Sequence, residues 1–179
     1  MAIHIEAARF PDDAGAILAL FSGYAASLGI DLTFQQFQDE LDSLPGKYAE
    51  SQGGALLIAR AEKQPDRNPP YQRSSDSLGS HPSLAVGCVA LRQSSDNWCE
   101  MKRLYVLQEA RGVRLGERLV EAILDRAKAL GYRGVRLDTL PEMIAAQRLY
   151  RKYGFVEISS YYDTPIKGTI FMGCDFART

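Results

Sequence analysis

Residues 111–117 of the chain read Arg111-Gly112-Val113-Arg114-Leu115-Gly116-Glu117, and they join a strand-like pattern to a helix-like one. The first N–H groups of a helix have no acceptor within the helix, and the helix dipole adds about half a positive charge there. The two glycines let an anion approach the backbone closely, while the two arginines add positive charge. The turn is therefore a candidate phosphate or pyrophosphate site, with an ordinary strand-to-helix connection as the alternative. Neither the Walker A motif nor the three-glycine dinucleotide motif is present.

The composition is typical of one soluble domain, which we expect to span residues 1–179. The net charge is −1, so no global charge favours nucleic acid or an anionic membrane as a partner. No apolar run approaches the roughly 20 residues of a membrane-spanning helix, and the first residues lack the features of a signal peptide. Three cysteines without CxxC spacing predict buried free thiols and a cytoplasmic location. The two histidines, His4 and His81, give no support for a metal site.

Alternating strand and helix patterns predict an α/β fold. The elements predicted in the first half are a strand at 3–9, helices at 11–29 and 33–46, and strands at 55–60 and 84–92. The second of these helices begins with a capping-box pattern at residues 33–36. Residues 64–83 are rich in proline and serine and bury little apolar surface. We expect a flexible surface insertion there, with a substrate lid or a partner-binding segment as the alternative.

The elements predicted in the second half are a strand at 100–106, helices at 115–130 and 141–154, and strands at 135–139, 155–158 and 168–176. The first of these strands has a fault in its alternation. Met101 has odd parity, whereas Leu104 and Val106 have even parity. An extra residue in a β-bulge would place all three on one face. The sequence leaves open whether such a bulge serves a site or only the fold.

Two motifs at a defined separation carry a family resemblance. The first is Arg111-Gly-x-x-Leu115-Gly-x-x-Leu119, and the second, one strand later, is Ala146-x-x-Leu149-Tyr150-x-x-x-Gly154-Phe155. Together they resemble the GNAT acyltransferase superfamily, over roughly residues 88–176. The resemblance implies a mixed, twisted sheet of about seven strands, classed as α/β or α+β. It also implies helices on both faces and a splay between the fourth and fifth strands.

The resemblance further implies that acetyl-CoA lies in the splay and that an amine attacks the thioester directly in a ternary complex. The implied contacts to acetyl-CoA come from Leu104, Tyr105, Val106, Arg111, Gly112, Val113, Arg114, Leu115, Gly116, Glu117, Thr139 and Ala146. Two positions depart from the family pattern. Arg114 stands where a glycine is usual, which weakens the phosphate motif, and Met143 replaces an asparagine that contacts the cofactor in many members.

Catalysis requires a neutral amine and a protonated leaving group. At pH 7, deprotonation costs about 1.4 kcal/mol for an α-amino group and about 4.6 kcal/mol for a lysine. Glu100, at the start of the strand that lines the cleft, is the candidate general base. The alternative is an exposed carboxylate paired with Lys102. By resemblance, Tyr150 protonates the thiolate of CoA, with a core-filling aromatic as the alternative.

The acceptor is less well defined by the sequence. The residues Phe34, Tyr161 and Tyr162 are candidate substrate-binding aromatics, and all three fit equally well as core or surface residues. A small-molecule or amino-acid-like amine is the leading acceptor, and a protein N-terminus or lysine is an alternative. A non-catalytic acyl-CoA-binding module would also fit the sequence, as would a phosphate-binding domain unrelated to CoA. The chain is expected to be a monomer or a homodimer.

Overall fold

The computed structural model describes residues 2–32, 36–62 and 83–178. The candidate residue Phe34 and most of the predicted insertion at 64–83 lie outside the described residues. The strands are β1 (Ile3–Ala7), β2 (Ala55–Ala61), β3 (Leu84–Gln93), β4 (Trp98–Val106), β5 (Gly134–Thr139), β6 (Val156–Glu157) and β7 (Ile170–Asp175). The α-helices are α1 (Ala14–Leu28), α2 (Phe37–Asp42), α3 (Leu115–Ala129) and α4 (Ile144–Lys152). Short 3-10 helices lie at Gly46–Tyr48, Glu50–Gln52, Gln108–Ala110 and Phe176–Arg178.

All seven strands form one sheet in the order β1-β2-β3-β4-β5-β7-β6, with helices on both faces. Strand β2 is almost continuously apolar because its alternate side chains pack in two hydrophobic cores, one on each face of the sheet. Leu57 and Ala59 pack with α3 on one face, whereas Leu56 and Ile58 pack with α1 on the other. The predicted mixed α/β architecture is therefore confirmed.

The strands β4 and β5 separate after a short parallel ladder. Their pairing joins Trp98–Glu100 to Gly134–Arg136, whereas every other neighbouring pair in the sheet is antiparallel. The rest of β5 pairs only with β7. The edge of β4 from residue 101 onward consequently faces a cleft instead of a strand, which confirms the predicted splay.

The β4 strand contains the bulge that its faulty alternation indicated. Ala90 of β3 lies opposite Lys102, and Cys88 lies opposite Tyr105, so two residues of β4 face Val89 alone. Arg103, in the bulge, has a φ of 58°. A bulge of this kind re-aims the side chains that follow it.

Several predicted boundaries shift. α1 ends as predicted at Gly29, whose φ is 64°. α2 begins at Phe37 after Gln36, and no side-chain hydrogen bond caps its first turn. Residues 33–35 of the predicted capping box lie outside the described residues. β6 is shorter than its predicted range.

The cysteines are buried free thiols, as predicted. No helix in the described parts of the chain is long and apolar enough to cross a bilayer.

Gly134 provides a test of the short ladder. A Cβ at this position would lie 2.5 Å from the carbonyl oxygen of Cys174 and 2.6 Å from the Trp98 ring. Gly134→Ala is expected to lower the free energy of unfolding by about 1–3 kcal/mol, because an inserted methyl group strains a packed interior. Gly15→Ala is the control, since no atom lies within 4 Å of the added Cβ in α1. It is expected to leave stability unchanged or to raise it by up to about 1 kcal/mol. Equal urea midpoints for both variants would show that the close junction is not needed.

Candidate active site

The turn before α3 presents a row of backbone N–H groups to solvent. α3 begins at Leu115, and residues 111–114 are exposed. Within the described residues, no protein acceptor contacts the N–H groups of residues 112–117. Donors of this kind at a helix N-terminus bind phosphate groups. The geometry therefore suits the predicted pyrophosphate site.

Arg114 is the N-cap of α3 and has left-handed backbone angles, with φ 57° and ψ 26°. Such angles cost a residue other than glycine about 1–2 kcal/mol, which explains why the family pattern has glycine here. Glu117, in the first turn of α3, accepts a hydrogen bond of 2.6 Å from Nζ of Lys152. That hydrogen bond lowers the pKa of the Glu117 carboxyl. Because Lys152 neutralises this carboxylate, the net charge of the turn stays positive.

The turn at residues 111–117 is joined to the open edge of β4. Nε of Arg111 donates to the carbonyl oxygen of Val106 at 3.2 Å. Tyr105 packs edge-on against Tyr24 of α1, with ring centroids 6.4 Å apart. Of residues 104–106, Leu104 alone is among the described residues that line the cleft.

Between the diverging strands lies an open cleft of about 630 Å³, a volume that includes open solvent. The described residues that line it are Tyr24, Leu28, Ile30, Leu32, Met101, Lys102, Arg103, Leu104, Leu137, Asp138, Thr139, Leu140, Met143, Tyr150, Tyr162, Thr164, Ile166 and Thr169. The cleft thus brings together four predicted site residues, namely Leu104, Thr139, Tyr150 and Tyr162.

Tyr150 lies at the cleft and also belongs to the core. Its ring centroid is 5.8 Å from that of Phe155, and the residue is buried. Burial, followed by the nearby Tyr24 and Asp138, raises the pKa of its hydroxyl above the ordinary value. The hydroxyl is therefore protonated at neutral pH and able to donate to an atom in the cleft.

Met143 occupies the position where many family members have asparagine. It is the N-cap of α4 and lines the cleft beside Thr139. The Thr139 hydroxyl donates to the Met143 sulfur at 3.7 Å. Ala146, one turn further along α4, is half-buried against the α3 side of the core. A thioether therefore stands where a side-chain amide was expected, and it is held by a residue of the predicted cofactor set.

Glu100 lies behind the wall of the cleft, with only 4% of its side chain exposed. It accepts from Nε of Arg92 at 2.7 Å and from the Tyr161 hydroxyl at 2.9 Å. Nζ of Lys102 is 3.6 Å from Glu100 and 2.8 Å from Asp138. The alternative of an exposed carboxylate is thus wrong, whereas the pairing with Lys102 is confirmed. Its role as general base stays a prediction.

A row of four charged side chains with alternating sign runs across β3, β4 and β5. It consists of Arg92, Glu100, Lys102 and Asp138, and we call it the charged row. Tyr161 covers its Glu100 end, and burial raises the pKa of the Tyr161 hydroxyl. The guanidinium of Arg136 lies 4.2 Å from the centroid of the Tyr161 ring. Tyr161, a predicted substrate residue, therefore supports the charged row and is not among the described lining residues.

A second buried ion pair fastens α2 to the bulge. Nε and Nη2 of Arg103 donate to the two carboxylate oxygens of Glu40, at 2.8 and 2.6 Å. The guanidinium lies between the rings of Tyr24 and Phe37, at 5.5 and 5.0 Å from their centroids. The Tyr48 hydroxyl donates to Glu40 at 2.9 Å. Sequence reasoning missed this pair, although the faulty alternation of β4 marks the bulge that contains Arg103.

Comparison with known proteins agrees with this geometry. The model of the acetyltransferase (GNAT) family matches residues 38–155. The chain is 35% identical over 177 residues to an uncharacterized N-acetyltransferase of Schizosaccharomyces pombe, covering 98% of this chain and 96% of that protein. The chain belongs to the GNAT family of acetyltransferases. It is also 32% identical over 123 residues to the IAA acetyltransferase of Azospirillum brasilense, covering 68% of this chain and 76% of that protein.

Solved structures share the fold of this acetyltransferase at low sequence identity. A GNAT-family acetyltransferase of Staphylococcus aureus superimposes with a TM-score of 0.71 at 19% identity, covering 97% of this chain and 99% of that one. The PaiA N-acetyltransferase of Thermoplasma acidophilum, solved in complex with coenzyme A, gives 0.67 at 18%, covering 98% and 100%. The enzyme is thus assigned to the family by sequence, and its fold agrees with that assignment.

The pair of Arg103 with Glu40 is expected to be essential for stability, because removing one partner leaves a buried charge uncompensated. Arg103→Met should lower the free energy of unfolding by about 3–5 kcal/mol, and adding Glu40→Gln should restore part of the loss. Arg151→Met breaks an ion pair whose side chains are 48% and 61% exposed, and should cost less than about 1 kcal/mol. Denaturant titration of the four proteins measures these values. Equal losses for Arg103→Met and Arg151→Met would contradict the role of the buried pair.

Proposed function

We propose that this acetyltransferase transfers the acetyl group of acetyl-CoA to the primary amine of a small-molecule or amino-acid-like acceptor. The observation that carries the proposal is the continuity of the open β4 edge with the turn at residues 112–117. An extended chain with a pyrophosphate at one end, as in CoA, fits that path. The PaiA structure was solved with coenzyme A, which supports the same ligand for this enzyme.

The described residues fit acetyl-CoA by the chemistry of their donors. The free N–H groups of residues 112–117 suit the pyrophosphate, and Arg111 and Arg114 add charge beside them. The edge of residues 104–106 has no β5 partner, although Arg111 donates to the carbonyl oxygen of Val106, and it suits the amides of pantetheine. Thr139 and Met143 line the cleft from the side of β5 and α4, whereas Ala146 is not among the described lining residues. Burial of a ligand along this path would satisfy backbone groups that water now solvates.

The reaction is a direct attack of the amine nitrogen on the thioester carbonyl. A C–N bond forms and the C–S bond breaks. The attacking nitrogen loses a proton to solvent or a base, and the leaving thiolate takes one from Tyr150, which recovers its proton from solvent. A free thiol has a pKa near 8.5 and a free tyrosine near 10, so proton transfer from tyrosine is uphill by about 2 kcal/mol in water. A dry cleft disfavours the thiolate as well as the tyrosinate. Tyr150 can therefore stabilise the developing thiolate by donating a hydrogen bond and then its proton.

The amine must lose a proton before it attacks. Glu100 is the proposed general base. Its oxygens already accept from Arg92 and Tyr161, so a proton from the acceptor would have to pass through Tyr161, Lys102 or water. Such a relay is consistent with a base that acts indirectly.

A small acceptor is favoured by the aromatic lining of the cleft. The relative from Azospirillum brasilense is named for IAA, which supports an acceptor other than a protein. Acetylation of a protein N-terminus or lysine is the competing outcome, and a non-catalytic acyl-CoA-binding module is another. An amine and peptide panel with thiol release as the readout separates the three.

Tyr150→Phe tests the proposed chemistry. It is expected to lower kcat by about 10²-fold, because a positioned general acid contributes at least that factor. The dissociation constant for acetyl-CoA should stay within about twofold, since the aromatic ring that packs on Phe155 is retained. The matched control is Tyr153→Phe, just after the end of α4, whose hydroxyl donates to Glu121 at 2.6 Å on the surface.

Thiol release gives kcat, and calorimetry gives the dissociation constant. A parent-like kcat for Tyr150→Phe would mean that Tyr150 serves only the core. A parent protein that binds acetyl-CoA but acetylates no amine or peptide would favour the non-catalytic module.

A further inference from the structure

The acceptor end of the cleft is mainly apolar, and the charged side chains that line the cleft are already paired with one another or with Glu40. Away from Tyr150 and the β4 edge, it is lined mainly by Tyr24, Leu28, Ile30, Leu32, Tyr162 and Ile166. Apolar walls of this kind gain free energy by covering a hydrocarbon skeleton. Hydroxyls such as that of Tyr162 can form hydrogen bonds there, but none of these six side chains carries a charge. A charged substituent is costly to remove from water without a counter-charge.

Three charged side chains line the cleft in the part of the chain that the structure describes: Lys102, Arg103 and Asp138. Arg103 is held by both oxygens of Glu40, and only 1% of its side chain is exposed. Lys102 lies between Asp138 and Glu100, with 7% exposed. Asp138 is the single carboxylate among these lining residues and has 14% of its side chain exposed. It is therefore the charged group that an acceptor reaches most readily.

This distribution of charge discriminates between amines. An ammonium group can pair with Asp138 beside Lys102. A second ammonium finds no second carboxylate in the described lining. A carboxylate on the acceptor meets two cations that Glu40, Glu100 and Asp138 already neutralise. A second charge of either sign would thus be desolvated without a counter-charge of its own, whereas a hydrocarbon end carries no charge to desolvate.

We propose that the acceptor is a primary monoamine with an apolar skeleton, and that Asp138 binds its ammonium group before the nitrogen loses the proton and attacks. Asp138 is then a specificity-determining residue of the acceptor site. This inference rests on the proposed acetyl transfer and narrows the class of its substrate.

Three amines with the same six-carbon chain test the substrate class: hexylamine, 6-aminohexanoate and 1,6-diaminohexane. They differ only in the far end, which is a methyl, a carboxylate or a second ammonium. Thiol release from acetyl-CoA by the parent enzyme should give hexylamine a kcat/KM at least about tenfold above either charged analogue. A kcat/KM for a charged analogue equal to or above that of hexylamine would overturn the inference and leave the proposed acetyl transfer intact.

Asp138→Asn tests the assigned residue. KM for hexylamine should rise at least about tenfold, while the dissociation constant for acetyl-CoA, measured by calorimetry, stays unchanged. Asp125→Asn, on the exposed side of α3, is the matched control and should keep the parent KM. An unchanged KM in Asp138→Asn would overturn the role of Asp138. Binding of acetyl-CoA without acetylation of any amine would instead overturn the proposed function itself. The amine series on the parent enzyme needs no variant, so misfolding of Asp138→Asn would not prevent the test.

Discussion

The parallel pairing of β4 with β5 ends after Glu100 and Arg136, and the rest of the site depends on that early separation. Backbone N–H and C=O groups along a strand edge need partners, and those of β4 beyond residue 100 have no β5 partner. The unpaired edge faces a cleft that continues to the N-terminus of α3. CoA has amides along its pantetheine chain and a pyrophosphate at the end of that chain. It can therefore form hydrogen bonds with the edge of β4 and with the N-terminus of α3 at the same time.

The separation also governs the electrostatics. Where β4 and β5 diverge, the face of the sheet under α1 and α2 carries the charged row instead of apolar side chains. Buried charges are tolerated only when they are paired, and the alternating signs of the row provide this pairing. Arg103 and Glu40 repeat the arrangement at the bulge and attach α2 to the same region. The acceptor side of the cleft therefore has fixed charges, and they are already matched to one another.

Local patterns in the sequence predicted the parts of the site that are local in the chain. Residues a few positions apart determine the conformation of the turn at 111–117 and of the helices α3 and α4. The glycines and the periodicity of the apolar residues therefore identify these elements in the sequence. Glu100 was expected at the cleft, but its partners Arg92 and Tyr161 come from a neighbouring strand and from a loop 61 positions away. In the sequence, Asp138 fits the polar face of a strand, because only the divergence from β4 turns that face into a pocket.

The sequence also failed to predict some backbone conformations. The alternation of β4 indicated a bulge but not the left-handed angles of Arg103, and Arg114 is left-handed where the family pattern predicts glycine. Hydrogen exchange with and without acetyl-CoA tests most directly whether the separated edge of β4 and the N-terminus of α3 bind acetyl-CoA. We expect slower exchange of the amides at residues 104–106 and 112–117, with β1 and β2 unchanged. Unchanged exchange in both segments at saturating acetyl-CoA, or protection confined to other strands, would contradict it.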